Sequence, residues 1–266
     1  MVRALGVIPA RFASTRFPGK PLAPLGDRTI LEEVWTRARA ARRLDHLVVA
    51  TEDDRIVRAC RSFGAEVMMT SSEHTSGSDR VAEIAINLDR SFAVVLNIQA
   101  DEPLVTPTSL DLLVRVFEDE PMTEMATLAE PLLTVEDLFD PNTVKVVTSL
   151  AGLALYFSRS PVPYFRGSGP LLPADFRSAL RARHGGLTGY RKHQGIYAYR
   201  RETLLGLIRL PVSPLEKDEG LEQLRALQAG FTIRVLESDF RSIAVDTPAD
   251  LERAAAFLAE AKETRS

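Results

Sequence analysis

The 266-residue chain has one cysteine, Cys60. That excludes an intrachain disulfide and a cysteine-based zinc site. An excess of positive charge is also missing. With 33 Lys and Arg against 36 Asp and Glu, the formal net charge is −3. General nucleic-acid binding is therefore excluded on charge grounds, and any anion site has to be a local cluster. Long apolar runs are absent too. The opening "MVRALGVIPAR" is too short an apolar stretch for a secretory signal or a membrane span, and no later segment approaches bilayer length. The expected location is cytoplasmic, with no membrane insertion. No internal repeat or low-complexity tract occurs. Two common phosphate motifs also fail. A Walker A loop needs glycine five positions before Gly19 and Ser or Thr after Lys20, where this chain has Ser14 and Pro21. No G-x-G-x-x-G follows the first apolar run, which removes the dinucleotide fingerprint.

What is present is ordinary soluble composition, 45% hydrophobic and 26% charged, in a chain long enough to bury roughly three quarters of its unfolded surface. "RALGVIP", ended by Pro9, reads as a buried strand. "TILEEVWTRARAARR" reads as a helix with a Thr29–Glu32 capping box and Leu31, Val34, Trp35 and Ala38 inward. "HLVVAT", "AEVMM" and "AVVLNI" read as further strands. Between and after them, "EDDRIVRACRSFG", "GSDRVAEIAINL" and "PTSLDLLVRVFED" read as helices. This alternation predicts an α/β fold, a mostly parallel sheet with helices on both faces. After Pro121 the pattern changes. "TVKVVTS" and "LALYFSR" read as a hairpin, residues 161–192 show little periodicity, and "GIYAYR" resumes as a strand. "SPLEKDEGLEQLRALQAG" reads as one helix, "FTIRVLE" and "SIAV" as short strands, and "DTPADLERAAAFLAEA" as a last helix with Thr247 as N-cap.

The stretch most in need of a reason is the loop after the first strand, "PARFASTRFPGKPL". Arg11, Ser14, Arg16 and Lys20 stand together there, and Pro18 and Pro21 stiffen the chain around Lys20. A solvated basic turn is the plain reading of one arginine in a loop. Several cations and hydroxyls behind a buried strand favour an anion held in place, with arginine clamping phosphate oxygens and lysine acting as a point charge. Ligands of such sheets bind outside the carboxyl ends of the strands. This loop and "QADEP", after the "AVVLNI" strand, both lie at such ends.

The same loop resembles the signature of the sugar-activating cytidylyltransferases. "SGSDRVAE", "NIQADEP", "NTVKVV", "LYFSR", "HQGIYAYR", "SPLEKDEGLEQLR" and "VDTPADL" then match, in order, the 3-deoxy-manno-octulosonate (Kdo) cytidylyltransferases, from Val7 to about Leu251. The resemblance implies a Rossmann-like nucleotidyltransferase sheet in one domain, 1–266. Within it, residues 150–200 would form a smaller hairpin and arm region for sugar binding and homodimer formation. It implies joining of CTP and Kdo to give CMP-Kdo and pyrophosphate with Mg²⁺, in lipopolysaccharide synthesis. It implies that Arg11, Ser14, Arg16 and Lys20 hold the triphosphate, with Ser78, Asp79 and Arg80 beside the nucleotide. Lys20, Arg16 and Asp101 would be catalytic, and Asp101 and Asp246 would hold metal. Gln99, Arg159, His193, Tyr197, Glu222 and Gln223 would form the sugar pocket, with Arg159 on the sugar carboxylate. Read singly, Asp101 is also a turn residue, Asp246 a helix-start charge, and Ser78–Arg80 a helix start. The chain departs from the family pattern at Ala100, where glycine is usual, at Gln194 and at Asp218 and Gly220. These departures leave open a related 2-keto sugar acid, 8-amino-Kdo or a sialic acid, and a catalytically inactive nucleotide-binding homologue is the rival of a different class.

Overall fold

An apolar run with no breaker before its end makes the first strand, β1 (Ala4–Pro9), and the basic loop beyond it leads to a single 3-10 turn at Lys20–Leu22. The computed structural model describes residues 2–13, 17–166, 173–182 and 184–263. A small hairpin, β2 (Pro24–Leu25) and β3 (Arg28–Thr29), leads into α1 (Ile30–Arg39). Then strands and helices alternate: β4 (His46–Thr51), α2 (Asp54–Ser62), β5 (Val67–Met69), α3 (Gly77–Asn87), β6 (Val94–Asn97) and α4 (Pro107–Asp119). There follow β7 (Met125–Pro131), α5 (Val135–Phe139), β8 (Lys145–Thr148), β9 (Ala154–Ser158) and α6 (Pro173–Ala182). The chain ends with β10 (Arg191–Arg200), α7 (Arg201–Leu207), α8 (Pro214–Glu219), α9 (Gln223–Gln228), β11 (Ile233–Glu237) and α10 (Pro248–Glu263).

These elements form two compact units. The first comprises Met1–Ala126, Gly195–Arg209 and Asp239–Ser266, and the second Thr127–Gln194 and Leu210–Ser238. In the first unit β1 pairs in parallel with β4 and β6, β4 pairs in parallel with β5, and Tyr197–Arg200 of β10 runs antiparallel along β6. Successive residues of a strand face opposite sides of its sheet. Leu5, Val7 and Ile8 of β1 and Val94, Val95 and Leu96 of β6 are all fully buried, so both faces of this sheet are covered, as a parallel sheet requires. The second unit is antiparallel: β8 pairs with β9, and Arg191 and Lys192 of β10 pair with β8. Leu132, Val135, Leu138, Leu180 and Tyr190 make its own apolar cluster.

Four local expectations change. The "SPLEKDEGLEQLRALQAG" segment is two helices, because Gly220 takes a left-handed conformation (φ 61°) that ends α8. "SIAV" forms no strand among the described residues, since Val245 contributes one backbone link, to Asp101, and no ladder. Residues 161–192 include a helix, α6. At α1 the Thr29 hydroxyl caps the Glu32 amide, while reciprocal capping boxes sit at Ser76–Asp79, Ser213–Glu216 and Thr247–Asp250.

Candidate active site

The loop after β1 is closed by a hydrogen bond from the Gly19 amide to the Phe12 carbonyl, 2.9 Å. Gly19 sits at φ 73° against the Phe12 ring, where a β-carbon would lie 3.0 Å from the ring edge. Only glycine suits both the turn and the close approach. The turn delivers Lys20 inward. Its Nζ lies 2.7 Å from Asp101 Oδ2 and 3.0 Å from Asp246 Oδ1, although these partners are 81 and 226 positions away in the chain. Burial pushes the Lys20 pKa down, but attraction to Asp101 and Asp246 outweighs it, so the net shift is upward and the amine stays protonated.

Asp101 and Asp246 are brought together by a set of links between the loop after β6 and the segment before α10. The Asp239 carboxylate accepts hydrogen bonds from the hydroxyls of Thr106, Thr108 and Ser109. The buried Glu102 accepts from Ser242 Oγ, 2.8 Å to each carboxylate oxygen. The Val245 amide donates to the Asp101 carbonyl, 2.9 Å. At α10 itself the helix start is satisfied without Asp246: the Asp250 carboxylate accepts from the amides of Asp246 and Thr247, and Thr247 Oγ1 accepts from the Asp250 amide. The Asp246 carboxylate reaches Lys20 instead.

The other nucleotide-side candidates are placed as follows. Arg11 donates to the His74 carbonyl. Ser14 and Arg16 lie outside the described residues. Ser78 is buried, with Asn97 Nδ2 3.5 Å from its hydroxyl. Asp79 completes the capping box of α3. Arg80 is buried at 1% exposure, paired with Glu52 at 2.7 Å and bonded to Thr70. Asp79 and Arg80 thus hold the start of α3 and the chain next to it.

Of the sugar-pocket candidates, Gln99 and Tyr197 belong to the first unit. Gln99 Nε2 donates to Asn97 Oδ1 at 3.0 Å, and the buried Tyr197 ring stacks on Tyr199. Arg159, His193, Glu222 and Gln223 belong to the second. His193 is buried edge-on against Phe157, with Nε2 3.0 Å from Thr127 Oγ1, and burial drives its pKa down to about 3. It is therefore a neutral hydrogen-bonding imidazole at any working pH. Glu222 directly precedes α9, whose first residue, Gln223, is buried. Arg159 Nε donates to the Glu219 carbonyl, Nη1 to Pro141 and Nη2 to Gly220. Ala100 needs no glycine here, because no non-glycine residue has positive φ among the described residues. Sequence reasoning missed Asp239, Glu102, Ser242, Lys145 and Glu219 as supporting groups. Glu102, Lys145 and Glu219 stand inside matched motifs, whereas Asp239 and Ser242 carry no sequence signal. No group of three or more His, Cys, Asp or Glu able to hold a metal occurs among the described residues, and no described helix is long and apolar enough to cross a membrane.

The family model for cytidylyltransferases matches residues 5–237. A 3-deoxy-manno-octulosonate cytidylyltransferase of Solibacter usitatus is 47% identical over 251 residues, covering 94% of this chain and 92% of its own. That of Geobacter sulfurreducens is 46% identical over 248 residues, covering 93% and 96%. Among solved structures, a CMP:2-keto-3-deoxy-manno-octonic acid synthetase complexed with CTP matches with a TM-score of 0.84 at 37% identity, over 97% of this chain and 99% of that one. A cytidylyltransferase of Leptospira borgpetersenii, at 18% identity and a TM-score of 0.62 over 98% of this chain and 88% of that one, shows the same fold.

Proposed function

Because the chain belongs to the 3-deoxy-manno-octulosonate cytidylyltransferase family, we propose that Lys20, Asp101 and Asp246 form the centre at which it joins CTP to Kdo, giving CMP-Kdo and pyrophosphate. One observation carries this reading: beyond the carboxyl ends of the parallel strands β1 and β6, two carboxylates from distant chain segments lie within 3.0 Å of the Lys20 amine. In the reaction the sugar's anomeric hydroxyl displaces pyrophosphate in line at the α-phosphorus. Such a transfer needs little covalent help and much positioning and neutralisation of charge. Lys20 stays protonated and supplies a fixed positive charge beside the phosphoryl oxygens. Arg11, Ser14 and Arg16 hold the triphosphate, with Ser78, Asp79 and Arg80 shaping the nucleotide side. Gln99, Tyr197, Arg159, His193, Glu222 and Gln223 receive the sugar acid, Arg159 through its carboxylate and His193 as a neutral hydrogen-bond partner.

Asp101 and Asp246 fit Mg²⁺. Both carboxylates already face one cationic atom and keep part of their surface open, 27% and 36% of the side chain. A small hard cation takes one or two carboxylates and fills its shell with water and phosphate oxygens. When bound, the metal would supply charge neutralisation at the phosphates and a lowered pKa at the attacking hydroxyl.

The same reading places the enzyme in the cytoplasm as a homodimer formed partly through residues 150–200, supplying CMP-Kdo for lipopolysaccharide synthesis. Release of pyrophosphate, followed with each nucleoside triphosphate against a panel of sugar acids, tests it. The expected result is a strong preference for CTP and for Kdo, with Mg²⁺ required. Equal turnover with ATP would overturn the nucleotide assignment, and better turnover of 8-amino-Kdo or a sialic acid would reassign the sugar. Light scattering at micromolar concentration tests the dimer, and a monomer would remove it.

A further inference from the structure

The "NTVKVV" motif contributes a lysine that the reaction does not use. Lys145, on β8, is fully buried, and its ammonium donates to the main-chain carbonyls of Asp140, Thr143 and Arg159. An ammonium has three N–H donors, and three carbonyls use all of them. Among the described residues no carboxylate is bonded to it, so this lysine is spent on fixing backbone.

What it fixes is specific. Pro141, whose carbonyl receives Arg159 Nη1 at 2.8 Å, lies between Asp140 and Thr143. Lys145 thus ties down both the backbone of Arg159 and the loop on which its guanidinium rests. Glu219 closes the other side. Its carboxylate accepts the Arg159 amide at 2.8 Å and Ser158 Oγ at 2.6 Å, and its carbonyl accepts Arg159 Nε at 2.6 Å. Gly220, next along, offers its carbonyl to Nη2 at 3.3 Å. Arginine has five N–H donors. These bonds take three, which leaves two for an external carboxylate.

We propose that Lys145 and Glu219 are positioning residues for recognition of the sugar acid's carboxylate, acting by holding Arg159 in one orientation. The inference rests on the reading that Arg159 meets that carboxylate. A preorganised guanidinium loses less entropy on binding, so loosening its bracket should weaken capture of the acid and leave the nucleotide site untouched. The charge state of Lys145 adds a second handle. Burial lowers its pKa to about 8, against the attraction of Asp140 and Glu219 and with the repulsion of Arg159. A neutral amine has two N–H donors and a lone pair, so one of the three carbonyls loses its donor above that pH. Tyr156, whose hydroxyl lies 3.5 Å from Glu219, has a pKa shifted upward by burial and by Glu219, and it stays protonated there.

The test is steady-state pyrophosphate release by Lys145→Met, Glu219→Gln and Arg159→Ala, with Kdo and with its methyl ester. For Lys145→Met and Glu219→Gln the KM for Kdo should rise about tenfold, the scale of a lost bond to a charged group. The KM for CTP should stay within about twofold, and the preference for acid over ester should shrink. In the wild type, the KM for Kdo should climb above pH about 8 while that for CTP stays flat. If Arg159→Ala leaves the KM for Kdo unchanged, the placement of Arg159 itself fails. If Arg159→Ala raises it but Lys145→Met and Glu219→Gln do not, or raise both KM values equally, the positioning role is overturned. Should Lys145→Met not fold, Glu219→Gln and the wild-type pH series decide.

Discussion

Two lysines in the two units of this molecule meet opposite surroundings. Lys20, in the first unit, is bonded to two carboxylates and keeps 14% of its side chain exposed. Lys145, in the second, is fully buried and bonded to three carbonyl dipoles. Both lose hydration, and that loss alone would lower both pKa values. The bonded carboxylates reverse the shift at Lys20, whereas at Lys145 the attraction of the unbonded Asp140 and Glu219 does not outweigh burial, and the value falls to about 8. Formal charge on the partner decides whether a buried amine remains a permanent cation or becomes titratable. A permanent cation suits charge developing on phosphate. A titratable one suits a framework bond.

Substitutions separate the two environments by size of effect. Asp101→Asn keeps the shape of the side chain and removes the charge opposite Lys20, so turnover should nearly vanish while the melting temperature stays close to wild type. A variant that unfolds, or one that turns over normally, would break the comparison. Lys20→Ala should lower kcat by about 10²–10³, the loss of about 2.7–4 kcal/mol typical of one preorganised donor to developing charge. A raised KM for CTP with unchanged kcat would make Lys20 a binding residue only.

The pH dependence of stability should differ in sign between the two lysines. The Lys20 pKa is raised on folding, so its contribution is complete below the ordinary lysine value of 10.5 and is lost as pH rises through the folded value. The Lys145 pKa is lowered on folding. Between pH about 8 and 10.5 the unfolded chain binds more protons there, so stability rises with pH across that window. Chemical denaturation of the wild type and Lys145→Met from pH 7 to 10.5 reads this out. The wild type should gain on the variant as pH rises, and a constant difference would contradict it. A further effect, on the acid side, is expected from His193. Its pKa falls from 6.5 to about 3, so stability present above pH 6.5 is lost as pH falls through that interval. His193→Gln should flatten that acid limb, and an unchanged limb would remove His193 as its source.

The alternating strands and helices of the first unit were legible because runs such as Ala4–Pro9 and Val94–Asn97 are buried on both faces and carry little else. The break at Gly220 was not, because Leu221, Leu224 and Leu227 keep helical spacing and one left-handed residue does not disturb that pattern. At the site, Lys20, Asp101 and Asp246 were legible as motif positions, and the strand-end rule suggested that the loops after β1 and β6 share one site. What holds Asp246 there was not legible. Asp239 pairs with Thr106, Thr108 and Ser109, and Ser242 pairs with Glu102, more than 100 positions away. No local periodicity encodes a polar contact of that span. The cap bonds at the start of α10 are made by Thr247 and Asp250, and the Asp246 carboxylate bonds to Lys20.

The central claim is that Asp101 and Asp246 act as one metal-holding unit opposite Lys20. Its most direct test is the Mg²⁺ dependence of pyrophosphate release, measured with melting temperature, for Asp101→Asn, Asp246→Asn and the double variant. Residues that act as a unit are not additive, so each single change should nearly abolish turnover, and the double should cost little more than the worse single, with melting temperatures unchanged. An Asp246→Asn protein that is less stable by about 0.5–2 kcal/mol, the cost of a lost helix cap, and still turns over at the wild-type rate with the wild-type Mg²⁺ requirement would contradict it.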